Sequence, residues 1–223
     1  MRRGRAARLA ILALAWLATT GAVGVCKLFR PATPESGGTG TLIPANYSDP
    51  ESTLVTLARG VAGKANGLAA YSGGIADTTR DGRSFSATFD PAVLARYNSL
   101  PGALEVPKRW DEVYERTFFF NFIQYKKNAD YTLAWAPDQF NPIDPPRGAD
   151  SALLHRAYRV TAHLSDGSDL IIAVGYADLS FVLTAASRWV IVGWQDRVDP
   201  AFGGANPLNP DQVSAGWRRL NLR

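Results

Sequence analysis

The chain has 223 residues, a formal net charge of +4, one cysteine and two histidines. A lone cysteine excludes any disulfide within the chain, so the folded part must hold together by its core. The positive balance does not mark a nucleic-acid binder: residues 1–30 hold six of the 24 basic side chains and no acid, and the remaining 18 face 20 acids without forming a Lys/Arg cluster.

Arg2, Arg3, Arg5 and Arg8 precede an uncharged run from Leu9 to Cys26, which Lys27 and Arg30 close. As a helix rising ~1.5 Å per residue this run nearly spans a bilayer's hydrocarbon, with flanking cations placed to snorkel. Residues 1–30 therefore read as an N-terminal transmembrane anchor, oriented by the preceding arginines so that the rest of the chain lies outside the cytoplasm. The same pattern fits a cleaved signal, with Thr20 and Ala22 as a small-x-small pair, and Cys26 raises lipidation, although Val25 departs from a lipobox. The excess of Arg over Lys suggests a GC-rich, bacterial source. Residues 31–47, with Pro31, Pro34, Gly37, Gly38, Gly40 and Pro44, read as a linker.

A domain over 48–199 follows, and then a tail, 200–223. Ser48-Asp49-Pro50 starts an amphipathic helix through Leu54, Leu57, Ala58 and Val61, and Asn66 caps a second through Leu68, Ala69, Tyr71 and Ile75. Asp81-Gly82 is a turn, residues 84–89 alternate as a short strand, and Asp90-Pro91 opens another short helix. From Trp110 to about Lys127 the spacing predicts a long helix, with Trp110, Tyr114, Phe118 and Phe122 at steps of four. Tyr131 to Trp135 is a strand, and Pro137, Pro142, Pro145 and Pro146 mark a long loop. Three extended runs follow, Leu153–Leu164, Leu170–Leu183 and Arg188–Asp196, joined by short connections as an antiparallel meander. Helices first and a curved sheet last give an α+β fold, with helices packed on a curved antiparallel sheet.

That order, with Phe85-Ser86-Ala87-Thr88-Phe89-Asp90-Pro91 and the ending Trp189-Val190-Ile191-Val192-Gly193-Trp194-Gln195-Asp196, resembles the nuclear transport factor 2-like superfamily over about residues 49–198. The resemblance implies a cone whose concave sheet and helices enclose a pocket, used for catalysis by some members and for binding or assembly by others. Tyr71, Trp110, Tyr114, Phe118, Tyr158, Tyr176 and Trp194 are its expected lining, with Asp178 and Asp196 as weak candidates for a catalytic carboxylate.

The remaining chemistry is sparse. His155 and His163 sit on the outer side of one strand, eight residues and ~26 Å apart at ~3.3 Å per residue, so they share no metal ion. Phosphate-loop, dinucleotide, nucleophile-elbow and zinc-peptidase motifs are absent from the sequence. The run 170–183 is apolar on both faces, which a one-sided sheet does not require. Ile171, Leu179 and Phe181 are thus expected at an interface with a protein partner or second copy, unless the chain covers that face itself. No cofactor is expected. The sequence points to a membrane-tethered, non-catalytic binding or accessory subunit of a bacterial envelope complex. The alternative is a small-ligand binder or isomerase- or cyclase-like enzyme using the cone.

Overall fold

The computed structural model describes residues 43–126, 128–198 and 214–223. The expected anchor, 1–30, and nearly all of the expected linker, 31–47, lie outside those residues. Among the described residues, no helix is long and apolar enough to cross a membrane.

Helix α1, Pro50–Ala62, starts where Asp49 accepts a hydrogen bond from Ser52 N at 2.8 Å, with Pro50 in the first turn. It buries Leu54, Leu57 and Val61. A 3-10 turn, Lys64–Gly67, leads into α2, Leu68–Gly74, so Asn66 lies within the turn and caps nothing. The short α3, Thr78–Asp81, is capped by Asp77 and ends at Gly82 with φ of 62°, a left-handed conformation that glycine adopts without a Cβ clash. Strand β1 is Ser86–Thr88, and α4, Pro91–Asn98, is capped by Asp90.

Helix α5, Glu112–Phe122, is capped by Asp111 and shorter than the spacing predicts, because the chain turns off at Ile123. Strands β2, Asp130–Pro137, β3, Ser151–His163, β4, Asp169–Leu183, and β5, Trp189–Val198, form the expected meander. The sheet order is β1-β5-β4-β3-β2. The sheet is mixed, because β1 joins β5 in parallel. With α4, α5 and the whole meander between them, the connection allowed either direction, and local spacing carried no information on which. Helix α6, Ala215–Asn221, lies in the tail and packs on α4, α5, β4 and β5. All described residues belong to one compact unit, Thr41–Arg223.

Register shifts at Val160/Thr161 in the β3–β4 pairing and at Ser180/Phe181 in the β4–β5 pairing set which side chains enter the cone. Each inserts a residue and so reverses the alternation beyond it. Leu179 and Phe181, read from simple alternation as partner-facing, pair with Leu154 and Ala152 and lie 0% and 1% exposed in the core. Ile171 pairs with Thr161 on the outer side and stays partly exposed. The domain covers much of its own outer face: Phe140, from the Pro-rich loop, meets the Tyr176 ring edge-on at 5.2 Å.

Candidate functional site

Glu115 is the centre of the cone. It lies on α5 between Asp111 and Phe118, turned inward, and is 1% exposed. Its Oε1 accepts from Tyr71 Oη and Arg219 Nη2, each at 2.7 Å, and its Oε2 from Trp110 Nε1 at 2.7 Å and Arg219 Nε at 2.8 Å. Both oxygens are therefore fully engaged, and the guanidinium grips the carboxylate as a fork. Burial alone would push the Glu115 carboxyl up, but the Arg219 charge and the bonds from Arg219, Tyr71 and Trp110 outweigh it and hold it below the usual range. Burial raises the Tyr71 phenol well above its ordinary value, and the Glu115 charge adds to that. The Arg219 guanidinium lies 4.2 Å from the centre of the Trp194 ring, a cation–π distance.

A second carboxylate sits beside this pair. Asp196, on β5, is 1% exposed; its Oδ1 accepts from Tyr158 Oη at 2.6 Å and its Oδ2 from Gly216 N at 2.9 Å. Tyr158 Oη in turn accepts from Ala215 N at 2.7 Å. Burial raises the Asp196 carboxyl, against the nearby Arg219 charge and the hydrogen bonds from Tyr158, Ser214 and Gly216. A Cβ on Gly216 would stand 2.7 Å from Asp196 Oδ2 and 3.1 Å from Phe89, so glycine is what lets α6 come this close. Arg218 completes the docking, with Nε donating to Ile172 O at 2.8 Å and Nη1 to Tyr125 Oη at 3.1 Å.

Among the described residues this interior holds a cavity of about 40 Å³, lined by Phe118, Phe122, Leu133, Val160, Trp194 and Arg219 among others. That space is enough for about one water molecule, and no substrate of ordinary size fits. Two buried donors, Arg219 Nη1 and Trp194 Nε1, have no hydrogen-bond partner among the described residues.

Of the residues expected to line the pocket, Tyr71, Trp110, Phe118, Tyr158 and Trp194 converge on this interior. Tyr114 does not: its ring touches Trp110 at 5.4 Å, yet it is 39% exposed on the outer side of α5. Tyr176 points to the outer side of the sheet, where its hydroxyl accepts from Gln139 Nε2 at 2.8 Å. Asp178 is also outside. His155 Nδ1 lies 2.7 Å from its Oδ1, and Arg197 bridges it to Asp138. An arginine-paired carboxylate of this kind pins the Pro-rich loop to the sheet. His163 lies 2.7 Å from Asp169 and 3.1 Å from Thr132 Oγ1, an exposed cross-strand cluster at the end of β3. Glu115 and Arg219 escaped sequence reasoning. An acid among the aromatic residues of α5, and an Arg pair set between Trp217 and Leu220, were the signals available.

No family model matches the sequence, and neither does any curated protein. Solved structures do resemble the fold. A function-unknown protein from Mycobacterium tuberculosis aligns at 12% identity and TM-score 0.48, covering 77% of this chain and 81% of that one. A protein described as the β subunit of an aromatic-ring-hydroxylating dioxygenase, from Novosphingobium aromaticivorans, aligns at 12% identity and TM-score 0.44 over 68% and 87%. ActVI-ORFA from Streptomyces coelicolor aligns at 11% identity and TM-score 0.44 over 66% and 91%. At such identities only the path of the chain is comparable, and fold does not choose function. Helices on a five-stranded mixed sheet fit a cone fold.

Proposed function

We propose that this chain is a membrane-tethered, extracytoplasmic binding module, an accessory subunit of a bacterial envelope complex and not an enzyme. The observation that carries the non-catalytic reading is the filled cone. Both interior carboxylates are bonded within the chain, and α6 occupies the place a substrate would need. The enzyme alternative would use Asp196 with its raised carboxyl beside Tyr158, but that pair is bonded to the backbone of α6, and the cavity that Tyr158 borders is only about 40 Å³.

The tether and its topology rest on the arginines ahead of the Leu9–Cys26 run. A partner is supported by apolar surface left outside the core: Leu104 at 65% and Val113 at 62% exposed border a groove of about 650 Å³ beside Lys108 and Arg223. Extraction of the full-length protein in mild detergent, with identification of what accompanies it and a mass measurement of the chain, is the test. An intact N-terminus and a stoichiometric companion lost on Val113→Asp are expected. A mature N-terminus near Val23 or an acylated Cys26 rejects the helical anchor, and recovery as a solitary chain that turns over a small ligand rejects the accessory role.

A further inference from the structure

Helix α5 buries one face and leaves the other uncovered. Phe118, Phe119 and Phe122 enter the core, while Val113, Thr117 and Phe120 stand at i, i+4 and i+7 on the exposed side. Val113 is 62% and Phe120 52% exposed, so this stripe is apolar at both ends and small at its centre. Beside it runs the groove of about 650 Å³, with Val113, Tyr114 and Thr117 on one wall and Leu104, Val106 and Pro107 on the other. An uncovered apolar ridge and an open groove thus lie side by side on one face. The charges along α5 are also left unmatched. Lys108, four residues ahead of the helix, lines the groove and has no ion-pair partner among the described residues. It stands toward the positive end of the helix dipole, where a cation gains nothing. The last turn of α5, at the negative end, carries no basic residue. The groove's other cation, Arg223, is held by Tyr97, to whose Oη it donates at 3.1 Å, and Glu105 is the acid of the lining.

We infer that the occupant of this groove is α5 of a second copy of the chain, packed antiparallel across a two-fold axis beside Thr117. A two-fold contact needs one patch to supply both knob and hole. Phe120 is the knob, and the space between Val113, Tyr114 and Leu104 is the hole. Val113 and Phe120 are seven residues apart, ~10.5 Å at ~1.5 Å each, with Thr117 between them, so reversing one helix on the other sets Phe120 of each copy against Val113 of its mate. The antiparallel sense brings Lys108 to the C-terminal end of the other α5, where a cation is favoured; a parallel pair would set Lys108 against Lys108. A foreign helix would fill the groove or cover the ridge, whereas a second copy does both at once in each chain. The inference rests on the binding-module reading and names the occupant of its groove.

The experiment uses the full chain in mild detergent with Cys26, its only cysteine, replaced by Ser. In that background Thr117→Cys puts a thiol beside the axis, and Val55→Cys puts one on the exposed side of α1 as a control. Mild oxidation is expected to give a disulfide-linked species of twice the chain mass from Thr117→Cys and at least ~10-fold less from Val55→Cys, because the bond forms only where two Cα atoms come within about 7 Å. Adding Val113→Asp or Phe120→Ser should each lower the Thr117→Cys yield at least ~10-fold while circular dichroism stays that of the folded domain, since both positions are wet in the single chain. Lys108→Glu should lower it as well, and Lys108→Arg should not. Native mass spectrometry of the Cys26→Ser parent should show two copies, and of its Val113→Asp form one. Equal cross-linking at residues 55 and 117, a yield indifferent to both stripe variants, or a single copy of the parent at its highest soluble concentration overturns the inference. Loss of other co-purifying components with the dimer intact rejects the accessory role alone, and a single copy that retains them rejects the dimer alone.

Discussion

Glu115 and Arg219 form an ion pair in which both side chains are 1% exposed. Each ion alone would be costly in the interior, and their attraction offsets that only while both are present. Glu115→Gln is therefore expected to lower unfolding free energy in urea by about 3–5 kcal/mol, leaving Arg219 buried without its counter-charge. The double variant Glu115→Leu with Arg219→Met should recover part of the loss and stop short of the parent, since Tyr71 Oη and Trp110 Nε1 would lose their acceptor. The two interior acids also pull in opposite directions with pH. Glu115, held below its usual range, contributes stability above the ordinary carboxylate range of about 4.3 and loses it as pH falls through its depressed value. Asp196, raised by burial, favours folding most below about 3.9 and loses that contribution as pH rises through its elevated value. Asp196→Asn should thus stabilise the protein more at pH 7 than at pH 4, relative to the parent, in urea titrations at the two pH values. A difference independent of pH would show that Asp196 does not titrate in this range.

At the scale of elements, the two Asp-Pro caps were plain in the sequence, whereas Asn66 was misread as a cap and the strand faces were not legible. Asp49-Pro50, Asp90-Pro91 and the meander from Tyr131 to Asp196 read correctly, because a capping oxygen, a helix-starting proline and short connections are local facts. Strict alternation would put Asp196 on one face with Val192, whereas the pairing skips from Gly193 to Ile191 and sets Val192 out of step. A bulge depends on its partner strand, so it leaves no mark on a single segment. The Glu115–Arg219 contact spans 104 residues and was equally invisible. The close approach of α6 to β5 gives a direct check: Gly216→Ala forces a methyl against Asp196 and Phe89 and should cost about 1–3 kcal/mol in urea denaturation. On the outer face, Asp178→Ala removes one of the two carboxylates on Arg197 and the partner of His155. Faster hydrogen exchange across residues 138–147, with the strands beneath unchanged, is the expected outcome.

For the whole molecule, one strand separates a core from a surface. Phe181 is closed inside the cone and Ile171 lies on its outer side, so Phe181→Asp should abolish the folded circular-dichroism spectrum while Ile171→Asp retains it. Both folding normally, or both unfolding, would contradict the register of β4. The sheet closes by long connections, with Ala87 against Trp194 and Thr53 Oγ1 donating to Trp189 O across 136 residues. Folding must therefore wait for distant parts of the chain to meet, which slows it. During that wait Glu115 has no arginine. As the chain emerges from the ribosome, the aromatic half of the cone is made first and its acid has to stay wet or carry a proton. The last strand and Arg219 then complete the interior together, so the order of synthesis decides when this core is able to become dry.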